Sequence, residues 1–198
     1  MNDRRPGRRD GSGKVPRWRE PRQGPPPGPR LFFGLWPDAR VAEALESWAR
    51  GALRVTGGRA TPAGSIHLTL AFLGEVHGDR LHPAIEAAER VRAQIHAFRL
   101  AQTNYWPHNR IVWAGPGSMP EALGGLAMGL RRELGADGFH LDTRDFQAHV
   151  TLVRNARTGE GLPDFLPVSW NVDEFVLVRS QLGAAGPAYD VLERFALA

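Results

Sequence analysis

Residues 67–70 read HLTL and residues 149–152 read HVTL, two copies of the pattern His-x-Thr-Leu. Each copy lies in an apolar run, 65–73 (SIHLTLAFL) and 147–153 (QAHVTLV), that is typical of a β-strand. Because side chains alternate along a strand, the histidine and the threonine of each copy share one face. The apolar residues of the copy share the opposite face, which we expect to point into a core.

The runs on either side of the two copies predict a mixed architecture. The remaining predicted strands are 31–36, 98–105, 110–114, 171–180 and 189–197, and the predicted helices are 41–48, 81–95 and 123–134. Asp38 is placed to cap the first helix, and Thr56-Gly57-Gly58 to end it. This order predicts an α+β fold with mainly antiparallel sheets and outer helices. One motif copy in each half predicts two pseudo-symmetric lobes, with both motifs in a central cleft.

The positive charge is concentrated at the N-terminus. The chain has 25 Lys+Arg and 21 Asp+Glu, and residues 1–30 hold nine and three of these, a net charge of +6. The other 16 and 18 give residues 31–198 a net charge of −2. The body is therefore not a broadly basic nucleic-acid binder, and any recognition of phosphate there must rely on a few placed groups.

Composition also predicts the domain organisation. Residues 1–30 contain seven Pro, five Gly and eight Arg, so we expect a disordered basic tail before a single bilobal domain over 31–198. The tail is compatible with a solvated segment of no specific role, with a start codon assigned too far upstream, or with an arm that attracts RNA. Scarce serine and abundant proline disfavour a transit peptide.

Several classes of protein and site are excluded by residue type. Cysteine is absent, which rules out disulfides, cysteine nucleophiles and thiolate zinc sites. No run approaches the roughly 18–20 apolar residues of a membrane helix. We therefore predict a cytoplasmic monomer that binds no membrane.

Two imidazoles facing one cleft suit the hydrolysis of a phosphodiester without a metal. One neutral histidine accepts a proton from water, and the other, protonated, gives one to the leaving oxygen. The threonine hydroxyls of the two copies can donate hydrogen bonds to the non-bridging oxygens. A metal site is the rival interpretation, but two histidines alone are a poor ligand set, and neither tetrapeptide contains Asp or Glu.

Further segments extend the pattern beyond the two motifs: 30–33 (RLFF), 66–75 (IHLTLAFLGE), 110–113 (RIVW), 149–154 (HVTLVR), 178–180 (VRS) and 189–192 (YDVL). Together they make residues 30–198 resemble the two-histidine phosphoesterases. Within that family the chain is most similar to the RNA 2′,3′-cyclic phosphodiesterases, formerly called 2′-5′ RNA ligases. Ala148 stands where relatives often have proline before the second motif, a change that affects only the entry into the strand.

The resemblance implies hydrolysis of a terminal RNA 2′,3′-cyclic phosphate to a 2′-phosphate, with no metal and no cofactor. It implies that His67 gives a proton to the leaving oxygen and that His149 takes one from water. It also implies that Thr69 and Thr151 bind the phosphate. The partner would be an RNA or oligonucleotide 3′ end that carries the cyclic phosphate.

Three more residues are candidate substrate contacts. Arg154 would face away from Thr151 on an uninterrupted strand, but a bulge after Leu152 would turn its guanidinium toward phosphate. Arg110 opens a predicted strand and Phe72 is an aromatic residue that a base could stack on. For each of the three a structural role, on the surface or in the core, is the competing interpretation.

Two other functions remain open from the sequence. The first is a related phosphodiesterase or ligase that acts on small cyclic nucleotides or on 2′-5′ linkages. The second is a nucleotide- or RNA-binding module that keeps the pocket without turnover. The presence of both complete His-x-Thr pairs argues against the second, since binding alone does not require two imidazoles.

Overall fold

The structure is a computed structural model, and it describes residues 29–183 and 186–198. The disorder predicted for residues 1–30 concerns a segment that lies, apart from its last two residues, outside the described residues. The domain predicted over 31–198 begins with a strand that starts one residue earlier, at Arg30.

The described residues form ten strands and three α-helices. The strands are β1 (Arg30–Leu35), β2 (Arg59–Ala60), β3 (Leu68–Glu75), β4 (His96–Leu100), β5 (Gln102–Trp106), β6 (Ile111–Gly115), β7 (Val150–Arg154), β8 (Val168–Val172), β9 (Glu174–Gly183) and β10 (Gly186–Ala196). The helices are α1 (Ala39–Thr56), α2 (Leu81–Glu89) and α3 (Glu121–Ala136). Every strand pair among them is antiparallel, which confirms the predicted fold class.

Eight of the strands form one sheet with two halves. The first half runs in the order β10-β9-β1-β3 and the second in the order β7-β6-β5, with β2 pairing with the far end of β7. The halves meet where β3 and β7 pair at a single residue pair, Leu68 and Val150. Because these strands carry the two motifs, the junction between the halves is also the place where the motifs come together.

The core lies on one face of this sheet. Leu68, Leu70, Val150 and Leu152 are all buried there, as the alternation within each motif predicts. The helices cover this face: α1 packs against β7, and α3 packs against β3 and α2. The two-stranded sheet of β4 and β8 adds further buried residues to the same core, among them Trp170. The opposite face of the junction, with the histidines, is left uncovered by helices.

The first and third helices confirm the sequence signals for them. The Asp38 carboxylate accepts a hydrogen bond of 2.8 Å from the Val41 amide, which caps α1 as predicted. Gly57 ends that helix with a φ of 60°, a conformation that glycine adopts at little cost. In α3 the apolar residues at helical spacing, Leu123, Leu126, Leu130 and Leu134, are all fully or almost fully buried.

The second helix and two strands differ from the prediction. The helix predicted over 81–95 ends at Glu89, and Ile95, included for its spacing, is 61% exposed. The strand predicted over 98–105 is two strands, β4 and β5, separated at Ala101. The strand predicted over 171–180 likewise divides into β8 and β9 at Asp173. In both cases the chain passes from the small sheet to the large one, and an unbroken apolar pattern does not reveal such a change.

No helix within residues 29–183 and 186–198 is long and apolar enough to cross a bilayer.

Candidate active site

A β-bulge at the same motif position shapes both motif strands. In β3, Phe33 pairs with Ala71 and Gly34 with Thr69, so Leu70 is the extra residue. In β7, Val112 pairs with Val153 and Trp113 with Thr151, so Leu152 is the extra residue. A bulge of this kind shifts the alternation of side chains by one position. The leucine of each His-x-Thr-Leu motif is therefore the bulged residue.

The bulges decide which residues join the histidines on the uncovered face. After the leucine, Ala71 and Val153 both turn into the core. The next residues, Phe72 and Arg154, turn to the face of the histidine and threonine of their own motif. The bulge after Leu152 that would bring Arg154 to the site is thus confirmed, and Phe72 is its counterpart in the other half of the sheet.

The motif residues line one small cavity. It encloses about 80 Å³ and is lined by Ser65, His67, Thr69, His149, Thr151 and Arg154. The antiparallel pairing of Leu68 with Val150 points residue 67 toward 151 and residue 69 toward 149. Each imidazole therefore stands beside the hydroxyl of the other motif.

Both histidines are oriented by the same local hydrogen bond. The Nδ1 atom of His67 lies 2.8 Å from the carbonyl oxygen of Ser65, two residues earlier in the chain. The Nδ1 atom of His149 makes the same contact, also at 2.8 Å, with the carbonyl oxygen of Gln147. Since a carbonyl only accepts, Nδ1 carries the proton in each ring. Nε2 of each ring is left for chemistry.

Aromatic side chains surround His67. Its ring stacks on Trp36 with a centroid separation of 4.9 Å and an angle of 9° between the planes. Phe32 lies 4.9 Å away, and the edge of Tyr189 approaches at 5.0 Å. These three rings restrict the orientation of His67 and remove water from around it.

His149 has a different and more open environment. Trp106 meets it edge to face with a centroid separation of 4.6 Å. Trp113 lies behind Trp106 at 5.0 Å. Among the described residues, one aromatic ring thus contacts His149, whereas three contact His67.

The pKa values of the two histidines reflect their burial. Burial lowers the pKa of His67 to about 4; the Ser65 carbonyl opposes this, and the positive charge of Arg154 adds to it. Burial and Arg154 also lower the pKa of His149, opposed by the carbonyl of Gln147. Both imidazoles are therefore neutral near pH 7 when no substrate charge is present.

Two glycines let the neighbouring strands approach the motif strands closely. A Cβ atom on Gly34 would lie 2.9 Å from the carbonyl oxygen of Leu68 and 3.4 Å from the ring of Phe32. A Cβ atom on Gly115 would lie 2.8 Å from the carbonyl oxygen of Ala148 and 2.8 Å from the ring of Trp113. Each glycine thus makes room for the aromatic residue two positions before it. The same close approach at a glycine therefore occurs in both halves of the sheet.

A larger groove adjoins the small cavity. It has a volume of about 750 Å³, and Thr69 and His149 belong to both spaces. Its lining includes Phe72, Trp106, Asn109, Arg131, Arg144 and Gln147. The small cavity has room for a phosphate group, and the groove has room for a nucleoside.

The three further candidate residues lie in different places relative to the cavity and the groove. Arg154 lines the small cavity, and the part of the chain that is described offers its guanidinium no hydrogen bond or ion pair. Phe72 is 45% exposed and lines the groove. Arg110 lines neither space: its guanidinium donates to the carbonyl oxygens of Asn155 and Ala156 at 3.4 and 3.3 Å. The structure therefore gives Arg110 a structural contact and leaves its predicted contact with substrate without support.

The sequence analysis missed the rings around His67. The sequence predicts residues 31–36 as one buried strand, and their uniformly apolar character hides two faces. Phe32, Gly34 and Trp36 alternate with Leu31, Phe33 and Leu35, and only the second set points into the main core. Once the neighbouring strand is known to carry a histidine, this alternation is the signal that places Phe32 and Trp36 beside it.

The candidate site has no set of side chains typical of a bound metal. Among residues 29–183 and 186–198, no group of three or more His, Asp or Glu side chains comes together.

Comparisons with known proteins cover most of the chain. The family model described as LigT like Phosphoesterase matches residues 35–113 and 115–189. An RNA 2′,3′-cyclic phosphodiesterase of Escherichia coli strain K12 is 33% identical over 172 residues, 85% of this chain and 96% of that protein. A protein of the same name from Thermus thermophilus is 32% identical over 178 residues, 85% of this chain and 90% of that protein.

Solved structures agree with these matches. The crystal structure of E. coli LigT in its apo form superposes with a TM-score of 0.78 at 32% identity, covering 86% of this chain and 98% of that one. The structure of E. coli LigT complexed with 3′-AMP superposes with a TM-score of 0.77 at 32% identity, covering 85% and 98%.

Proposed function

This chain belongs to the LigT-like phosphoesterase family, and from that premise we propose that it hydrolyses terminal 2′,3′-cyclic phosphates of RNA to 2′-phosphates without a metal. Relatives that cover most of the chain carry the name RNA 2′,3′-cyclic phosphodiesterase, which supports the reaction. The observation that carries the mechanism is the cavity of about 80 Å³ lined by two imidazoles, two hydroxyls and one guanidinium.

The reaction requires one proton to be removed and one to be delivered. Nε2 of His149 takes a proton from water as the water oxygen attacks phosphorus. The P–O3′ bond breaks, and Nε2 of His67 gives its proton to O3′. The products are a 2′-phosphate and a 3′-hydroxyl, and proton exchange with solvent restores both rings.

The remaining cavity residues stabilise the charge on phosphorus. The hydroxyls of Thr69 and Thr151 donate to the non-bridging oxygens, where negative charge grows in the transition state. The guanidinium of Arg154 is a fixed cation on the same face and matches two phosphate oxygens at once. Phe72, exposed in the groove, serves as a stacking surface for the terminal base.

The low pKa of His67 constrains this mechanism. A proton donor must be protonated when substrate is bound, yet burial keeps His67 of the free protein neutral near pH 7. The negative charge of the cyclic phosphate favours the imidazolium and opposes the effect of burial. We therefore expect His67 to take up its proton together with the substrate.

The decisive experiment uses a short RNA that ends in a 2′,3′-cyclic phosphate. Purified protein is incubated with it in the presence of EDTA, and the 2′- and 3′-phosphate products are separated. We expect 2′-phosphate from the wild type and a loss of at least about 100-fold in each of His67→Ala and His149→Ala. His82→Ala is the matched control, because this exposed histidine lies outside the cavity.

Other outcomes identify the alternatives. Binding of the RNA without any product would favour a binding module. Turnover of cyclic mononucleotides or 2′-5′ linkages alone would favour the small-nucleotide phosphodiesterase or the ligase. Activity lost to EDTA would make the two histidines metal ligands. The predicted monomer and the predicted cytoplasmic location stay predictions.

A further inference from the structure

We propose that Arg59, which lies beside Arg154, binds the 5′-phosphate of the nucleotide that carries the cyclic phosphate. In an RNA this group is the first phosphodiester of the strand. The inference rests on the proposed function and extends the candidate site by one phosphate. The ligand is thus a nucleoside 2′,3′-cyclic phosphate whose 5′ oxygen is also esterified to phosphate.

The first observation is a pair of arginines on neighbouring strands. Arg59 of β2 pairs with Arg154 of β7, and the next pair along the ladder is Ala60 with Val153. Residues directly opposite each other in an antiparallel pair share one face, and successive pairs alternate between the faces. Ala60 and Val153 pack in the core, so both arginines lie on the uncovered face. Arg154 lines the cavity, and Arg59 is exposed immediately beyond it.

The second observation is an excess of positive charge around this pair. Segments 57–60 and 150–157 contain three arginines, Arg59, Arg154 and Arg157, and no acidic residue. Within residues 29–183 and 186–198, none of the three forms an ion pair with Asp or Glu. Like charges directly opposite each other on two strands repel. A second phosphate beside the reacting one would remove this repulsion, in a body whose net charge is −2.

The backbone around Arg59 is held in place by contacts with the end of β7. The amide of Arg157 donates a hydrogen bond of 2.8 Å to the carbonyl oxygen of Thr56, just before the turn that leads into β2. The guanidinium of Arg157 lies against Gly57, where a Cβ atom would come within 2.7 Å of it. Arg59 is therefore presented by a fixed strand, which reduces the ordering that binding requires.

The third observation is the position of these cations relative to the groove. Thr69 and His149 line both the cavity and the groove, whereas His67 and Arg154 line the cavity alone. The groove and the arginine pair therefore adjoin opposite ends of the cavity. A ligand that fills the cavity can extend from it in two directions, into the groove and toward Arg59.

The ribose of a terminal nucleotide has groups that extend in these two directions. Its base is attached at C1′, next to C2′, and its 5′ group is carried by C4′, next to C3′. The base therefore leaves the cyclic phosphate on the side of O2′ and the 5′-phosphate on the side of O3′. With the base in the groove, O3′ and the 5′-phosphate point toward His67 and Arg59. This orientation agrees with the proposed mechanism, in which His67 gives its proton to O3′.

The test uses two substrates that differ only in the second phosphate. One is adenosine 2′,3′-cyclic phosphate with a free 5′-hydroxyl, and the other carries a methyl phosphate diester on that oxygen. The diester adds one negative charge without a second nucleoside. Values of kcat/KM are measured for the full-length wild type, Arg59→Gln and Arg59→Lys. Arg40→Gln is the matched control, because Arg40 is exposed on α1, which covers the core face of the sheet.

We expect the wild type to prefer the diester substrate about tenfold in kcat/KM, the effect of one charge-assisted contact. The preference falls to about twofold or less in Arg59→Gln. It is kept at least in part in Arg59→Lys, which retains the charge, and in full in Arg40→Gln. Because the contact is ionic, the wild-type preference also falls about threefold between 50 and 200 mM salt.

Several results would overturn the role of Arg59. Equal kcat/KM values for the two substrates in the wild type would do so, as would a preference that Arg59→Gln leaves intact. A loss of equal size in Arg40→Gln would show that the preference follows net charge and not position. In each of these cases the wild type still hydrolyses the cyclic phosphate. Failure of the wild type to hydrolyse either substrate would instead reject the proposed function.

Discussion

His67 and His149 make the same Nδ1 contact, two residues back along the chain, yet their surroundings differ. Three aromatic rings cover His67 and one contacts His149. Burial therefore lowers the pKa of His67 to about 4, while His149 is shifted in the same direction. The two histidines thus lie in unequal environments although the motifs are nearly identical.

The first prediction at this scale concerns the pH dependence of catalysis. A base must be neutral and an acid protonated, so kcat/KM falls on both sides of the interval between the two pKa values. Since both values lie below the ordinary 6.5, we expect the maximum of kcat/KM on the acidic side of pH 6.5, with the low-pH limb near pH 4. The profile is measured with a cyclic mononucleotide between about pH 3 and pH 8, so that both limbs are covered.

The stack of Trp36 on His67 provides the variant for that measurement. Trp36→Leu admits water beside the ring, which raises the pKa of His67 and moves the low-pH limb toward 6.5. The charged and titratable neighbours, Arg154, His149 and Tyr189, are unchanged. Trp48→Leu is the control, because Trp48 packs against Phe165 away from the cavity. An unmoved limb in Trp36→Leu would show that the stack does not govern the titration.

The second prediction separates the acid from the base. A 4-nitrophenolate leaving group departs without a proton, so a variant that lacks the acid keeps most of its activity on bis(4-nitrophenyl) phosphate. We expect His67→Ala to lose about 100-fold less on this substrate than on the cyclic phosphate, and His149→Ala to lose the same on both. The reverse pattern would exchange the two roles.

Individual residues differ in how far the sequence reveals them. The sequence predicts His67, Thr69, His149 and Thr151 together, because alternation along a strand fixes which side chains share a face. Arg154 required one further feature, a bulge after Leu152, which the structure has. The contact of Arg110 with backbone carbonyls depends on how a distant loop folds back, and no local pattern encodes that.

At the level of elements, the strands that flank the motif strands are as constrained as the motifs. Gly34 lies in β1 opposite Thr69. Gly115 ends β6, beside Ala148. A side chain at Gly34 would collide with the backbone of Leu68 within the first motif, and one at Gly115 with the backbone of Ala148 just before the second. The glycines thus set how closely the aromatic residues approach the two histidines.

The third prediction tests this close approach. Gly34→Ala places a methyl group 2.9 Å from the carbonyl oxygen of Leu68, so β1 and β3 must move apart. We expect the free energy of unfolding to fall by about 1–3 kcal/mol and kcat to fall with it. Urea unfolding followed by tryptophan fluorescence measures the first effect.

The control substitution is expected to change the free energy of unfolding in the opposite direction. Gly125 lies in α3 with no atom within 4 Å of the added methyl group, so Gly125→Ala raises the free energy of unfolding by up to about 1 kcal/mol. A stabilised or neutral Gly34→Ala protein would contradict the close packing of these strands.

Prediction of the helices from the sequence succeeds where their ends carry a local signal and fails where distant contacts set the end. The first and third helices carry a cap or a proline at the start and buried residues at regular spacing. The second helix ends early: Arg90 pairs with Glu133 on α3 and with Asp137 just after it, and the carbonyl oxygen of Ala93 accepts a hydrogen bond from the amide of Ala198. These partners are more than 40 residues away, so helical spacing in residues 91–95 carried no information about them.

At the scale of the whole molecule, the two halves of the sheet depend on one pair of residues and on a shared core. The buried imidazole of His67 lies at this junction, and its titration makes the stability of the fold depend on pH. Unfolded His67 binds a proton below pH 6.5, but folded His67 does not until about pH 4. The stability that the neutral ring contributes is therefore present above pH 6.5 and is lost as pH falls toward 4.

The fourth prediction follows from this linkage. The free energy of unfolding of the wild type should decline between pH 6.5 and pH 4, with a contribution from His67 of at most about 1.4 kcal/mol per pH unit. His67→Asn has no ionisable ring, so its decline is shallower by that contribution. Parallel curves for the two proteins in urea titrations at pH 4.5, 5.5, 6.5 and 7.5 would contradict the lowered pKa.

The paired bulges bear on regiochemistry. A ribose 2′,3′-cyclic phosphate is itself nearly symmetric: two ester oxygens flank one phosphorus, and either can be expelled. Turned end for end in the cavity, it would meet the same imidazoles and hydroxyls with O2′ and O3′ exchanged. The residues that follow the bulges, an aromatic ring at Phe72 and a cation at Arg154, distinguish the two orientations, as do the unequal aromatic surroundings of His67 and His149. For the proposed reaction we therefore expect the ratio of 2′- to 3′-phosphate among the products to depend on Phe72 and Arg154, the side chains that would orient the substrate.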